Sequence, residues 1–194
     1  IYISVDPLSE LDTQAAARTA VLVASSVLGI NPFMYDYYFS LESGSIIVGG
    51  PSAGAAMTIA TLAALRGDSI RRDVAITGMI NPDGTIGPVG GLTYKLEAVA
   101  DTGNFTTFLI PLGQRYVQQE VVEKKQEGSM IIVVTKTITI DLVEMGKELG
   151  INVFEVADIF QAYEYFTGVD LKYQYAVPKP VASKYVSQVA DWYK

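Results

Sequence analysis

The chain contains no cysteine and no histidine. Their absence excludes disulfides, a thiol nucleophile, a Ser-His triad and the usual zinc ligand sets, and it leaves the redox compartment open. Positive charge is scarce as well. Fourteen Lys and Arg stand against 21 Asp and Glu, a net charge of −7, with no basic cluster. That balance argues against a nucleic-acid surface. The apolar stretch at residues 11–28 is short for a membrane span and carries Arg18. The chain starts at Ile1 rather than Met, as a processed product or a cut chain does, so targeting segments are beyond its reach. The compartment stays undecided between cytoplasm and a membrane association carried by sequence outside the chain.

What is present suits one globular domain, or one with an appendage: 194 residues, 49% of them hydrophobic, can bury a substantial core. Ser9-Glu10-Leu11-Asp12 has capping-box form and leads a helical run to Leu28, closed by Gly29. Gln14, Arg18 and Ser25, beside Asp12, Thr19 and Ser26, form a polar stripe along it; Ala, Val and Leu fill the remaining circumference. After Asn31-Pro32, residues 35–41 and 46–48 read as strands. Val74-Ala75-Ile76-Thr77 is the next, Asn81-Pro82-Asp83-Gly84 a strong turn, and residues 85–89 its hairpin partner. Gly90-Gly91 ends the hairpin, and Leu92, Leu96, Val99 and Ala100 carry helical spacing to a stop near Gly103. Further on, residues 114–125 read as a polar helix, 130–140 as a β run, 140–149 as a helix, 151–156 as a strand and 157–166 as a helix. Residues 161–194 hold six of the twelve tyrosines, and Pro178-Lys179-Pro180 precedes a short helix bearing Val181, Tyr185, Val189 and Trp192. Such a tail is expected to pack on its own domain.

At Val48-Gly49-Gly50-Pro51-Ser52-Ala53-Gly54 a β-rich run breaks into a small-residue helix, residues 52–66, stopped by Gly67. This helix is apolar almost all round and therefore buried. Its start aims unpaired N–H groups and a positive dipole end at whatever lies beside the Ser52 hydroxyl, an arrangement able to stabilise an oxyanion. Two readings of Ser52 stand side by side: a nucleophile, or a helix cap after glycines that merely turn the chain. Without His or Cys, an activating base within the chain has to be Lys, a carboxylate or Tyr. Lys95 sits one turn into the helix after Gly90-Gly91. An ordinary lysine there is solvated or snorkelling, but a buried one has a lowered pKa, and its neutral amine can take the Ser52 proton. Thr77 either orients that amine or simply packs in its strand.

Taken in order and spacing, Gly50-Pro51-Ser52-Ala53-Gly54, Thr77-Gly78, the turn, and Gly90-Gly91-Leu92-Thr93-Tyr94-Lys95 resemble the proteolytic domain of Lon proteases, from about residue 12 to about 168. Leu109-Ile110-Pro111 resembles the family's segment after the lysine helix. The resemblance implies an α/β fold with mixed sheets and packed helices, of the ribosomal protein S5 domain 2-like type. The proteolytic domain would cover 1–168, with a family-atypical insertion at about 112–150 and a Tyr-rich C-terminal extension at 169–194. It further implies a serine endopeptidase with a Ser-Lys dyad, in which Ser52 is the nucleophile, Lys95 its partner and Thr77 the lysine's support. The backbone N–H groups of Ser52 and Ala53 are the candidate oxyanion hole, and no metal or cofactor is called for. Polypeptides are the implied substrates, and the implied assembly is a homo-oligomeric ring, often of six.

Lon proteases also carry an ATPase module, but no G-x-x-x-x-G-K-[ST] loop occurs here. Action on unfolded polypeptides without ATP is therefore expected of this chain, with any ATPase on other sequence or a partner. Gly49 stands where the family usually has an acidic residue, and Tyr38 and Ser40 where many relatives carry histidines. Two other classes remain open. One is a catalytically silent binding or scaffold module; the other is a small-molecule kinase of the GHMP type, whose Gly/Ser-rich loop cradles phosphate before a helix. Residues 49–54 are a poor version of that loop.

Overall fold

The computed structural model describes residues 1–6, 8–42, 49–127 and 130–171, with side chains described at all of these except 5–6, 123–127 and 130–132. Strand β1 (Tyr2–Asp6) pairs in parallel with β2 (Tyr38–Glu42), and α1 (Leu11–Leu28) connects them. Downstream lie α2 (Gly54–Arg66), β3 (Val74–Ile76) and a short antiparallel hairpin of β4 (Met79–Ile80) and β5 (Ile86–Gly87). Next come α3 (Leu92–Asp101), β6 (Thr107–Pro111), and the antiparallel ribbon of β7 (Tyr116–Glu127) and β8 (Met130–Asp141). The described chain closes with α4 (Leu142–Leu149), β9 (Asn152–Val156) and α5 (Ile159–Thr167).

The central sheet is parallel, in the order β3-β6-β9. All five residues of β6 are buried, as expected of a central parallel strand covered on both faces. Strand alternation then divides the core in two. Leu109 packs with Ile59, Leu62, Val156, Ile159 and Tyr163 under α1, α2 and α5. Phe108 and Ile110 pack on the opposite face with Leu92, Leu96, Leu142 and Val153 under α3 and α4. The result is a three-layer α/β arrangement, and each fully buried Leu or Phe in it stabilises the fold by roughly 1.5–3 kcal/mol.

Several expectations are corrected. Residues 114–125, expected to be a polar helix, instead form the turn at Gln114 and Arg115 and, from Tyr116, most of strand β7. Their Gln, Glu and Lys suit a helix locally, but β8 offers a partner rich in β-branched residues, Val133, Val134, Thr135, Thr137, Ile138, Thr139 and Ile140, and pairing with it decides the outcome. The capping box does not form: Glu10 is the N-cap of α1 and makes no side-chain cap, while Asp12 accepts from the Thr13 N–H at 2.9 Å. Ser25 is not on the polar stripe but buried, its hydroxyl without a hydrogen-bond partner among the described residues. Strand β2 begins only at Tyr38, after a 3-10 turn at Pro32–Met34. The strand expected at 46–48 and the tail beyond residue 171 lie outside the described residues.

Candidate active site

Three segments meet around Ser52. Gly50 enters with φ of 88°, a left-handed value suited to glycine, and Pro51 opens a 3-10 turn, Pro51–Ala53, that runs straight into α2. Ser52 therefore lies in this turn, just before the α-helix rather than at its first residue, and is half-buried. A Cβ on Gly54 would come within 2.7 Å of Ile80 Cγ2 and 2.9 Å of the Ile80 backbone nitrogen, so α2 approaches β4 this closely only with glycine there. Helix α1 braces the same loop, as Thr13 Oγ1 donates to the Gly50 carbonyl at 3.2 Å. Sequence reading missed that brace, although Thr13 is a polar residue among apolar ones on the buried face of α1.

The second segment is Thr77-Gly78, between β3 and β4. The Gly78 N–H donates to the Ser52 carbonyl at 2.9 Å, the Ala55 N–H donates to the Gly78 carbonyl at 3.0 Å, and the Thr77 N–H reaches the Leu109 carbonyl at 3.1 Å. These bonds pin the serine turn to the end of the central strand. They also occupy the Ala55 N–H, and the Gly54 N–H is taken by the Pro51 carbonyl. Ser52 and Ala53, singled out for their N–H groups, both lie within the turn itself.

Lys95 belongs to the third segment. Gly91, at φ of 68°, caps α3, and the Lys95 N–H donates to its carbonyl at 3.0 Å. Leu92 and Leu96 are fully buried on either side, which draws the lysine stem inward and leaves Lys95 half-buried. Burial alone pushes its ammonium below the ordinary lysine range, and no carboxylate among the described residues pairs with it. Its Nζ donates to Thr77 Oγ1 at 3.3 Å, and Thr77 Oγ1 in turn donates to the Ser52 carbonyl at a long 3.5 Å. Thr77 is 4% exposed, so the hydroxyl joining lysine to serine turn is shielded from water.

The three residues singled out in the sequence thus come together, with Thr77 between the other two. Among the described residues, no hydrogen bond joins Ser52 Oγ directly to Lys95 Nζ. Catalytic hydrogen bonds are often long in unliganded sites and tighten with substrate. A serine turn, a partly dehydrated amine and a buried hydroxyl are the parts that base-assisted acyl transfer needs. Among the described residues no group of three or more possible metal ligands gathers, and no helix is long and apolar enough to cross a membrane.

Comparison with known proteins bears on the same residues. Residues 12–144, which contain Ser52, Thr77 and Lys95, match the family described as the Lon protease (S16) C-terminal proteolytic domain. The Lon protease of Escherichia coli (strain K12) is 40% identical over 109 residues, 55% of this chain and 14% of that protein. The Lon protease of Haemophilus influenzae (strain ATCC 51907 / DSM 11121 / KW20 / Rd) is 37% identical over 119 residues, 60% of this chain and 15% of that protein. For the Lon protease of Phenylobacterium zucineum (strain HLK1) the figures are 32% over 130 residues, 64% and 16%. The matched part is thus a small fraction of each relative's length. The three-layer α/β fold, the glycine-framed serine turn and the family match agree: the chain belongs to the family of Lon protease (S16) C-terminal proteolytic domains.

Proposed function

We propose that this chain is a serine endopeptidase that cleaves unfolded polypeptides through a Ser52-Lys95 dyad. The observation that carries the reading is Lys95 itself: half-buried, lowered in pKa by dehydration, without a charged partner among the described residues, and hydrogen-bonded to a buried Thr77 that also touches the serine turn. Neutral Lys95 removes the proton from Ser52 Oγ as the oxygen attacks the peptide carbonyl carbon. The resulting oxyanion is met by the backbone N–H groups of Ser52 and Ala53, each worth about 3 kcal/mol if well aimed. Collapse breaks the C–N bond, Lys95 returns its proton to the leaving amine, and an ester on Ser52 remains. Lys95 then deprotonates water, which attacks the ester, releases the carboxylate product and restores the serine. Thr77 keeps the amine oriented throughout.

The reading includes action without ATP on loosely structured substrates, a homo-oligomeric ring as the working form, and any unfoldase on a partner or other sequence. The proteolytic unit is taken as residues 1–168, with 112–150 as an insertion and 169–194 as an extension. The test is cleavage of an unstructured, fluorescently labelled protein without ATP by the parent chain, Ser52→Ala and Lys95→Ala, each checked for folding. Loss of about a thousandfold or more in both variants is expected. Cleavage by a folded Ser52→Ala at the parent rate returns Ser52 to the role of a helix cap.

A further inference from the structure

One side chain at the root of the ribbon holds the segment that leads into the lysine helix. Gln114, in the turn between β6 and β7, donates from Nε2 to the Val89 carbonyl at 2.9 Å and accepts at Oε1 from the Val89 N–H, also at 2.9 Å. A single side-chain amide thus does for Val89 what a neighbouring strand does for a strand residue, two positions after β5 has ended at Gly87. Val89 lies two residues before Gly91, on which α3 begins and to which the Lys95 N–H is bonded. Gln114 is itself held on both flanks. The Gly113 and Arg115 N–H groups donate to Glu155 Oε1 at 2.7 and 3.2 Å, and the Arg115 guanidinium forks onto the Asp141 carboxylate through Nε and Nη2. Leu142 donates its N–H to the Arg115 carbonyl at 2.9 Å, tying in the other end of the ribbon.

We propose that Gln114 is a positioning residue for Lys95: by clamping the Val89 peptide it fixes where α3 begins, and with it the reach of Lys95 Nζ to Thr77 and the serine turn. The inference rests on Lys95 being the base. It also ties the ribbon to the site, because Gln114 stands between the central strand and β7. The side-chain type is specific. An amide offers donor and acceptor side by side; glutamate keeps the acceptor for the Val89 N–H and loses the donor, whereas asparagine is one methylene too short. With the clamp gone, the peptides of Gly90 and Gly91 can swing, the first turn of α3 loosens, and water reaches the ammonium. Burial is the cause of the lowered Lys95 pKa, and no charged group among the described residues, on α3 itself or on the elements packed against it, contributes to it. Hydration is therefore what the clamp controls.

The test follows Lys95 by two routes in the full chain, comparing parent, Gln114→Ala, Gln114→Glu, Gln114→Asn and, as a control on the exposed ribbon surface, Gln118→Ala. One route is an NMR titration of the Lys95 ε-carbon, assigned by Lys95→Arg; the other is the pH profile of Ser52 acylation by a serine-directed probe. Gln114→Ala and Gln114→Asn are expected to raise the Lys95 midpoint by about half a pH unit or more, and to slow acylation about tenfold near neutral pH with recovery at alkaline pH. Gln114→Glu should fall between them and the parent, and Gln118→Ala should match the parent. An unchanged midpoint and profile in a folded Gln114→Ala, even with a lower melting temperature, overturns the proposal and leaves Gln114 a structural brace. If Ser52 in the parent does not acylate at all, the protease reading fails, while the NMR titration still decides what Gln114 does to Lys95.

Discussion

Ser52 and Lys95 stand at the starts of two helices built in opposite ways. Helix α2 buries residues at every turn, from Gly54 and Ala55 through Ile59 to Leu62 and Ala63, and lies among α1, α5 and the sheet. Helix α3 buries only Leu92, Thr93 and Leu96 and turns Tyr94 and Glu97 to solvent. Ser52 is therefore mounted beside an element that cannot shift without opening the core, whereas Lys95 rides on one anchored along a single stripe and at its start. That difference suits the chemistry. Serine needs a fixed position, but the amine must be dry enough to be neutral and still exchange protons. In the proposed dyad, α3 is the half on which tuning would act.

Loss of either side chain of the proposed dyad is the largest effect expected. The double variant Ser52→Ala/Lys95→Ala should cleave no more slowly than the worse single variant, because the two act as one unit. Next come the two helix anchors. Leu62→Ala and Leu96→Ala each remove a fully buried leucine and should cost about 2–5 kcal/mol in chemical denaturation. Only Leu96→Ala should also move the ascending limb of the pH-rate profile, which deprotonation of Lys95 sets, since it loosens the turn carrying Lys95. Equal shifts in both variants would break the contrast between the helices.

A smaller change sharpens it further. Thr77→Val keeps the buried shape and deletes the hydroxyl between Lys95 and Ser52, so cleavage at neutral pH should fall about tenfold with little loss of stability. A rate within a factor of two of the parent would mean the hydroxyl does not orient the amine. The smallest effect concerns the ribbon root. The Arg115 guanidinium holds the Asp141 carboxyl down to about 2, chiefly through its hydrogen bonds. A carboxyl lowered by folding contributes stability that is complete above its ordinary range and is lost as pH falls through the folded value. Thermal melts should therefore separate parent from Asp141→Asn modestly near pH 5 and converge toward pH 2. Lys95 runs the other way. Its folded pKa is depressed, so the penalty for burying its charge is complete below that value and is relieved as pH rises through it.

Much of the site was legible because its demands are local. Gly50 needs a left-handed φ, Gly54 must let Ile80 approach, and Gly91 begins the lysine helix at positive φ, so the glycines frame Ser52 and Lys95 in the chain as they do in space. The stops of α1, α2, α4 and α5 at Gly29, Gly67, Gly150 and Gly168 are of the same kind. Residues 114–125 were illegible for the opposite reason. Their local preference is helical, and only the twelve-pair register with β8, which starts at Tyr116, makes a strand of them from that residue on. Gln114 was hidden with them, since its partner Val89 lies 25 positions away and nothing in either neighbourhood marks the pairing.

By itself the sequence determined which residues could do chemistry and where α1, α2, α4 and α5 had to stop, because composition and backbone sterics act over a few residues. Without His or Cys, a base within the chain could come only from Lys, a carboxylate or Tyr, and the resemblance to Lon proteolytic domains pointed to Ser52, Thr77 and Lys95. Tertiary structure decided how dry Lys95 is, what lies between it and the serine, and how the ribbon is tied to its helix. Those properties arise from packing between distant segments: Leu92 and Leu96 against Phe108 and Ile110, the Thr77 N–H on the Leu109 carbonyl, and Gln114 on Val89. Dehydration of an amine is set by everything that surrounds it, and no short stretch of chain contains that information.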